Sequence, residues 1–206
     1  MSTASRPLRV VAVSGSLTAP SRTTALVEAI TAAFGRALPI EPHLITLNHL
    51  GPHLAGALTR KQLPPEAEAE LQRIENADLL VVATPVYRAS FTGLFKHLFD
   101  FVDQYALVDT PVLLAATGGS ERHALIIEHQ LRPLFGFFQS LALPVGVYAH
   151  DSDFADAKPL DYTISNEQLD DRIEKAIARA LPLVRSSLVE KETIERTLAG
   201  EEVSAD

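Results

Sequence analysis

Apolar positions along this chain switch between unbroken runs and a 3.6-residue repeat. Leu8 to Val13, broken only by Arg9, and the continuous runs Leu79 to Ala83 and Pro111 to Ala116 are apolar, which predicts strands covered on both faces. After the first run, Leu26, Val27, Ile30, Ala33, Phe34 and Leu38 share one helical face, predicting a helix from Ser21 to Leu38 that Pro39 closes. Ile40 to Leu47 reads as a second strand. Residues 48–65 hold Gly51, Pro52, Gly56, Pro64 and Pro65 and read as a long loop with one helical turn. A polar helix follows from Glu66 to Asn76. Phe91, Leu94, Phe95, Leu98, Phe99 and Val102 repeat at helical spacing, with Ser90 as the expected cap. After Gly119 another helix turns Leu131, Leu134, Phe135, Phe138 and Leu141 inward. Pro144 to Ala149 supplies a fifth strand, and Asp151 to Ser165 is acidic and irregular. Leu169, Ile173, Ala176, Ile177, Ala180, Leu181 and Val184 define a last amphipathic helix.

Buried strands that alternate with helices imply a parallel sheet covered on both faces. Five of them suggest the α/β, flavodoxin-like order 2-1-3-4-5, in which ligands bind outside the carboxyl ends of the strands. One domain is expected over residues 8–185, between a flexible N-terminus (1–7) and an acidic, solvated tail (186–206). That tail matters for reading the charge. Residues 189–206 carry six acids and two bases, half of the formal net charge of −8, so half of the acidity says nothing about a site.

The remaining charge balance still argues against a general nucleic-acid binder, which needs a basic face. The chain has no cysteine, which excludes disulfides and thiolate chemistry and fits a reducing cytoplasm. Met1 to Pro7 is too short and polar for a signal peptide. No apolar run approaches the roughly 20 residues of a membrane span. A soluble, cytoplasmic protein is expected.

Three unusual turns, 14–23, 84–90 and 117–120, each follow a buried strand, so a parallel sheet brings them to one edge. The first, Ser14-Gly15-Ser16 followed by Ser21-Arg22-Thr23-Thr24, sets hydroxyls, one arginine and a helix N-terminus around one point, a geometry suited to a phosphate. Read alone, the same residues also make an ordinary helix cap. The spacings G-x-G-x-x-G, G-x-x-x-x-G-K-[ST] and G-x-S-x-G are absent. Rossmann dinucleotide binding, P-loop NTPase chemistry and an α/β-hydrolase elbow are thereby disfavoured.

Taken together with Thr84-Pro85-Val86-Tyr87-Arg88-Ala89-Ser90-Phe91 and Ala116-Thr117-Gly118-Gly119, the first turn resembles the NAD(P)H-dependent FMN reductases. The likeness covers roughly residues 8–185. It is nearest to the flavin-supplying components of two-component alkanesulfonate monooxygenases, including the methanesulfonate-associated reductases. The resemblance implies that Ser16, Ser21, Arg22 and Thr23 bind the FMN phosphate. It implies that Pro85, Val86, Tyr87 and Ser90 wrap the ribityl chain and ring, and that Thr117, Gly118 and Gly119 approach the ring edge. Arg88 either meets the pyridine nucleotide or is solvated. Hydride transfer from NAD(P)H to the flavin needs no protein acid or base, so no catalytic residue is nominated.

The resemblance also implies a transient partner, an FMN-dependent monooxygenase of organosulfonate desulfonation, and a homodimer or homotetramer through the helix around His129. Pro133 lacks the N–H that the His129 carbonyl would accept, so this helix must kink, bulge or end there. Some two-component members carry an inserted residue at this place, giving a π-bulge, and His129 occupies the equivalent position. Two other readings stay open: a reductase of quinones, azo compounds or metal ions that retains FMN, and a flavodoxin-type electron carrier. His49 and His53 have a metal-compatible spacing if helical, but no acid lies near them in sequence and no metal site is nominated.

Overall fold

The computed structural model describes residues 6–157 and 161–198. Four strands, β1 (Leu8–Ser14), β2 (Ile40–Thr46), β3 (Leu79–Pro85) and β4 (Pro111–Gly118), pair in parallel in the order β2-β1-β3-β4. The expected fifth strand is two pieces, β5 (Leu141–Ala142) and β6 (Val147–His150), both parallel to β4. The expected start at Pro144 is thus a correction. Pro144 has no N–H to give the ladder, and the pairing lapses around it. The sheet order is the expected 2-1-3-4-5.

Alternate residues of each strand feed two cores. Val11, Val13, Leu80, Val82, Val112 and Leu114 face one side. They pack against α2 (Leu47–Leu54), α3 (Pro65–Glu75), α4 (Gly93–Asp100) and α5 (Arg132–Phe137). Leu8, Val10, Ala12, Leu79, Val81 and Leu113 face the other, under α1 (Arg22–Ala37) and α6 (Glu167–Leu198). Period-two burial on both faces is why these strands read as unbroken apolar runs.

Four local expectations change. The loop at 48–65 holds a true helix, α2, and a 3₁₀ turn at Arg60–Gln62. Gly51 of α2 faces α4 so closely that a Cβ would stand 3.0 Å from Leu94 Cδ1; here glycine permits helix packing rather than ending a helix. The acidic stretch contains an antiparallel hairpin, β7 (Phe154–Ala157) and β8 (Asp161–Ile164), which packs on α1. The last helix passes Ser186 and runs to Leu198. Along it, Ser187 Oγ donates to the Asp109 carbonyl (3.1 Å) and Lys191 pairs with Asp78 (3.4 Å). The expectations for residues 1–5 and 199–206 lie outside the described residues. The fourth change concerns Ser90, which does not cap α4. Thr92 does, accepting from the Phe95 N–H at 3.3 Å.

Pro133 left a kink, a bulge or an end open; between β4 and α5 the chain makes the bulge. Ile127–Leu131 is a π-helical turn, closed by the Arg132 N–H donating to the Ile127 carbonyl. One residue is thereby accommodated without ending the helix, and His129 sits at its centre.

Candidate functional site

Parallel register puts the three turns side by side. Ser14 pairs with Ala83, Pro85 with Thr117, and Gly118 with His150. Hydrogen bonds then tie the turns to one another. The Gly15 N–H donates to the Ala83 carbonyl (2.7 Å), and Thr92 Oγ1 donates to the Gly15 carbonyl (3.0 Å). The Val86 N–H donates to the Thr117 carbonyl (2.8 Å), and the hydroxyls of Thr23 and Thr117 bond at 2.6 Å. A Cβ at Gly15 would lie 2.9 Å from the Phe95 ring and 3.1 Å from the Ala83 carbonyl. Only glycine lets the first turn approach β3 this closely.

The first turn carries Ser16, which is buried and bonded to the Thr18 carbonyl (3.1 Å). Ser21 caps α1, its hydroxyl oxygen accepting from the Thr24 N–H at 3.2 Å, which leaves its O–H free to donate. The N–H groups of Arg22 and Thr23, the first two of α1, have no intrahelical acceptor. They add to the positive end of the helix dipole at the same point. Ser14 Oγ and Thr24 Oγ1, 2.8 Å apart, brace the underside of this turn. The Thr23 side chain is buried in its bond to Thr117, so it faces β4 rather than solvent.

In the second turn Tyr87 and Ser90 exchange backbone bonds (2.8 and 3.1 Å) around Arg88 and Ala89, whose φ values are +51° and +65°. That is the geometry of a tight two-residue hairpin. It thrusts the Tyr87 ring into solvent, with 47% of its surface exposed. Ser90 Oγ donates to Gln130 Oε1 at 3.2 Å, tying this turn to the π-helical segment. Thr117 is buried, and Gly118 and Gly119 follow without side chains. A Cβ at Gly118 would meet the Tyr148 hydroxyl at 2.7 Å and His123 Nδ1 at 3.1 Å. Tyr148 itself donates to the Ser120 carbonyl at 2.7 Å. Burial, together with Glu121, Asp151 and Asp153 nearby, outweighs that bond and pushes the phenol up, so it stays protonated at neutral pH.

All eleven sequence-predicted residues therefore lie on these three adjoining turns, and the structure adds others. Asp151 follows β6, with Oδ1 4.0 Å from Arg22 Nη1. Tyr162 of β8 lies under the guanidinium, 4.5 Å from ring centroid to Arg22 Cζ. His123, Gln130 and Tyr148 complete the rim. Asp151 and Tyr162 both lie in the stretch read as acidic and irregular, and nothing in the spacing marked either. Spaces of about 480 and 300 Å³ lie beside Arg9 and Arg73, and beside Asp78 and Lys191, both remote from the three turns.

One feature does mark them. Among the described residues two buried side-chain polar atoms lack any partner, Arg22 Nε and His123 Nδ1. Native interiors rarely leave such groups unpaired, and both lie at this edge. The edge thus combines an unpaired guanidinium donor, a helix N-terminus and a glycine cradle. That set fits a ligand with an anionic end and a flat heteroaromatic end.

Comparison with known proteins agrees. The family described as NADPH-dependent FMN reductase matches residues 8–155. The chain belongs to that family. It is 59% identical over 184 residues to the NADH-dependent FMN reductase SfnF of Pseudomonas fluorescens, covering 89% of this chain and 96% of the relative. It is 54% identical over 177 residues to the FMN reductase (NADPH) of Pseudomonas aeruginosa, covering 86% and 92%. A crystal structure of an oxidoreductase from Corynebacterium diphtheriae superposes with a TM-score of 0.72 at 34% identity, covering 90% of this chain and 99% of that one. The protein is thus an oxidoreductase of the FMN reductase family, with FMN and NAD(P)H as its redox pair.

Two remaining expectations concern ions and membranes. His49 and His53 do share helix α2 and face a groove with Glu66 and Glu70 of α3. No group of three or more ligating side chains among the described residues is placed to hold a metal. No helix among the described residues is long and apolar enough to cross a membrane.

Proposed function

We propose that FMN lies across the three turns with its phosphate at the N-terminus of α1. Ser16, Ser21, Arg22 and the first-turn N–H of Thr23 hold the phosphate. Pro85, Val86, Tyr87 and Ser90 line the ribityl chain and ring, and Thr117, Gly118 and Gly119 offer backbone at the ring edge. The pair of unpaired buried atoms, Arg22 Nε and His123 Nδ1, carries this reading. When bound, FMN supplies the redox chemistry by accepting hydride from the nicotinamide. The protein's part is to orient the two rings and to keep fixed dipoles against the side that gains charge. No side chain here is assigned a proton transfer.

The reduced flavin passes to a partner monooxygenase, in this reading one that desulfonates organosulfonates in the cytoplasm. The π-helical turn supports that finer reading, because Gln130 within it bonds Ser90 of the second turn. It also lies beside exposed Leu125 and Phe137, an apolar surface suited to a dimer or tetramer. Strain or movement in the turn then reaches the flavin loops and favours release.

Oxidation of NADH and of NADPH, followed at the nicotinamide absorbance with FMN, FAD and riboflavin, tests the activity. Turnover that requires added FMN and colourless purified protein are expected. Turnover by yellow protein without added FMN would support a reductase that retains its flavin. Failure with both dinucleotides would support an electron carrier. Deleting His129 should give tightly bound, yellow protein; colourless protein with unchanged turnover would contradict the role given to the bulge.

A further inference from the structure

The Arg22 guanidinium is held in an unusual way. Its face lies on the Tyr162 ring at 4.5 Å, a cation–π arrangement. No hydrogen bond from the described residues takes up its edge. Nε is buried without a partner, and the nearest carboxylate, Asp151, stands at 4.0 Å, beyond hydrogen-bond distance. A guanidinium paired to a carboxylate would have its planar fork spent. One stacked on an aromatic ring keeps its position while the fork remains available to another anion.

Tyr162 is itself fixed. It pairs with Asp156 across the hairpin and packs, with Ile164, against the core under α1 and α6. The base of the hairpin is fastened to the end of β6 by Asp153, whose carboxylate accepts the His150 N–H at 2.8 Å. The Asp153 carbonyl accepts the Ser165 N–H at 2.9 Å. A chain of packed groups therefore runs from the end of the sheet, through the hairpin, to the Arg22 side chain.

We infer that Tyr162 is a positioning residue, holding Arg22 face-on so that its fork meets the phosphate and selects phosphorylated over dephosphorylated flavin. The hairpin β7–β8 is then part of the specificity apparatus rather than decoration on the fold. The inference rests on the phosphate reading of the α1 N-terminus given above. Tyr162 touches no reacting atom, and its effect belongs to affinity for the phosphate end only.

The test measures dissociation constants of FMN and of riboflavin, by quenching of flavin fluorescence, in the wild-type chain and in Arg22→Ala, Tyr162→Ala, Tyr162→Phe and the double variant Arg22→Ala/Tyr162→Ala. Tyr162→Ala should weaken FMN by about fivefold and leave riboflavin within about twofold. Tyr162→Phe keeps the ring and should restore FMN binding. In the Arg22→Ala background, Tyr162→Ala should add less than about twofold, because its route is already cut. If Arg22→Ala leaves FMN binding unchanged, the phosphate reading fails first. If Arg22→Ala weakens FMN but Tyr162→Ala does not, the phosphate reading stands and the positioning role is overturned. Equal loss of FMN and riboflavin in Tyr162→Ala, or failure of Tyr162→Phe to restore binding, reduces Tyr162 to a packing residue and also overturns it.

Discussion

The two ends of the sheet treat charge in opposite ways. At the amino edge, the Asp78 carboxylate is fully buried, yet three cations meet it. Arg6 bonds it at 2.6 and 3.1 Å, Arg9 through backbone and side chain at 2.9 to 3.2 Å, and Lys191 at 3.4 Å. Burial pushes this carboxyl up, but the hydrogen bonds from Arg6 and Arg9 win and hold it well below the usual carboxylate range. At the carboxyl edge, Arg22 Nε and His123 Nδ1 are buried and unpaired. Saturated charge at one edge locks the start of β1 and the far part of α6 to β3. Unsatisfied polarity at the other keeps donors ready for a ligand. The contrast separates a residue kept for stability from one kept for binding, which burial alone does not.

Changes at the two edges should therefore separate cleanly. The largest effect is expected from Asp78→Ala, which leaves three cations facing an empty site. About 3 kcal/mol of stability should be lost in denaturant unfolding, with FMN affinity unchanged. Acidification probes the same group. Its folded carboxyl titrates below its unfolded value, so its contribution is complete above about pH 4. That contribution fades as pH falls toward the folded value. Wild-type stability should drop steeply below pH 4, and the drop should be shallower in Asp78→Ala. Arg22→Ala is the reciprocal change: FMN should bind about tenfold to a hundredfold more weakly, with the melting temperature preserved. Thr23→Val should blur the contrast, because it orphans the buried Thr117 hydroxyl, costing about 1 kcal/mol of stability, and slackens the site. The smallest effect is expected from Asp151→Asn. Removing a negative charge 4.0 Å from Arg22 should tighten FMN by about twofold.

The amino acid pattern announced the carboxyl edge well and the amino edge hardly at all. Unbroken apolar runs ending in Ser, Gly, Thr and Pro mark strands and their exit turns locally, and parallel topology then assembles the turns without further information. The Asp78 cluster joins residues from 6 to 191, a separation no local pattern conveys. The helix α2 was hidden by Gly51 and Pro52, although Leu47, Leu50 and Leu54 keep helical spacing. Gly51 reads as a breaker in sequence, whereas its purpose is the close approach to Leu94. Tyr162 was hidden by its acidic neighbours, and only the register of β7 with β8 brings its ring under Arg22. The cap at α4 shifted from Ser90 to Thr92 because Ser90 closes the Tyr87 hairpin. By contrast, a break in the regular helix around His129 was legible, since a proline's missing N–H is a fixed fact of the chain; that the break is a π-bulge was implied only by the family resemblance.

The claim on which the rest depends is that the α1 N-terminus holds a phosphate. Comparing the wild-type dissociation constants of FMN and riboflavin, which differ only in that group, addresses it directly. FMN should bind at least about tenfold more tightly, and the difference should shrink as salt is raised. Equal affinities for the two flavins would contradict the account.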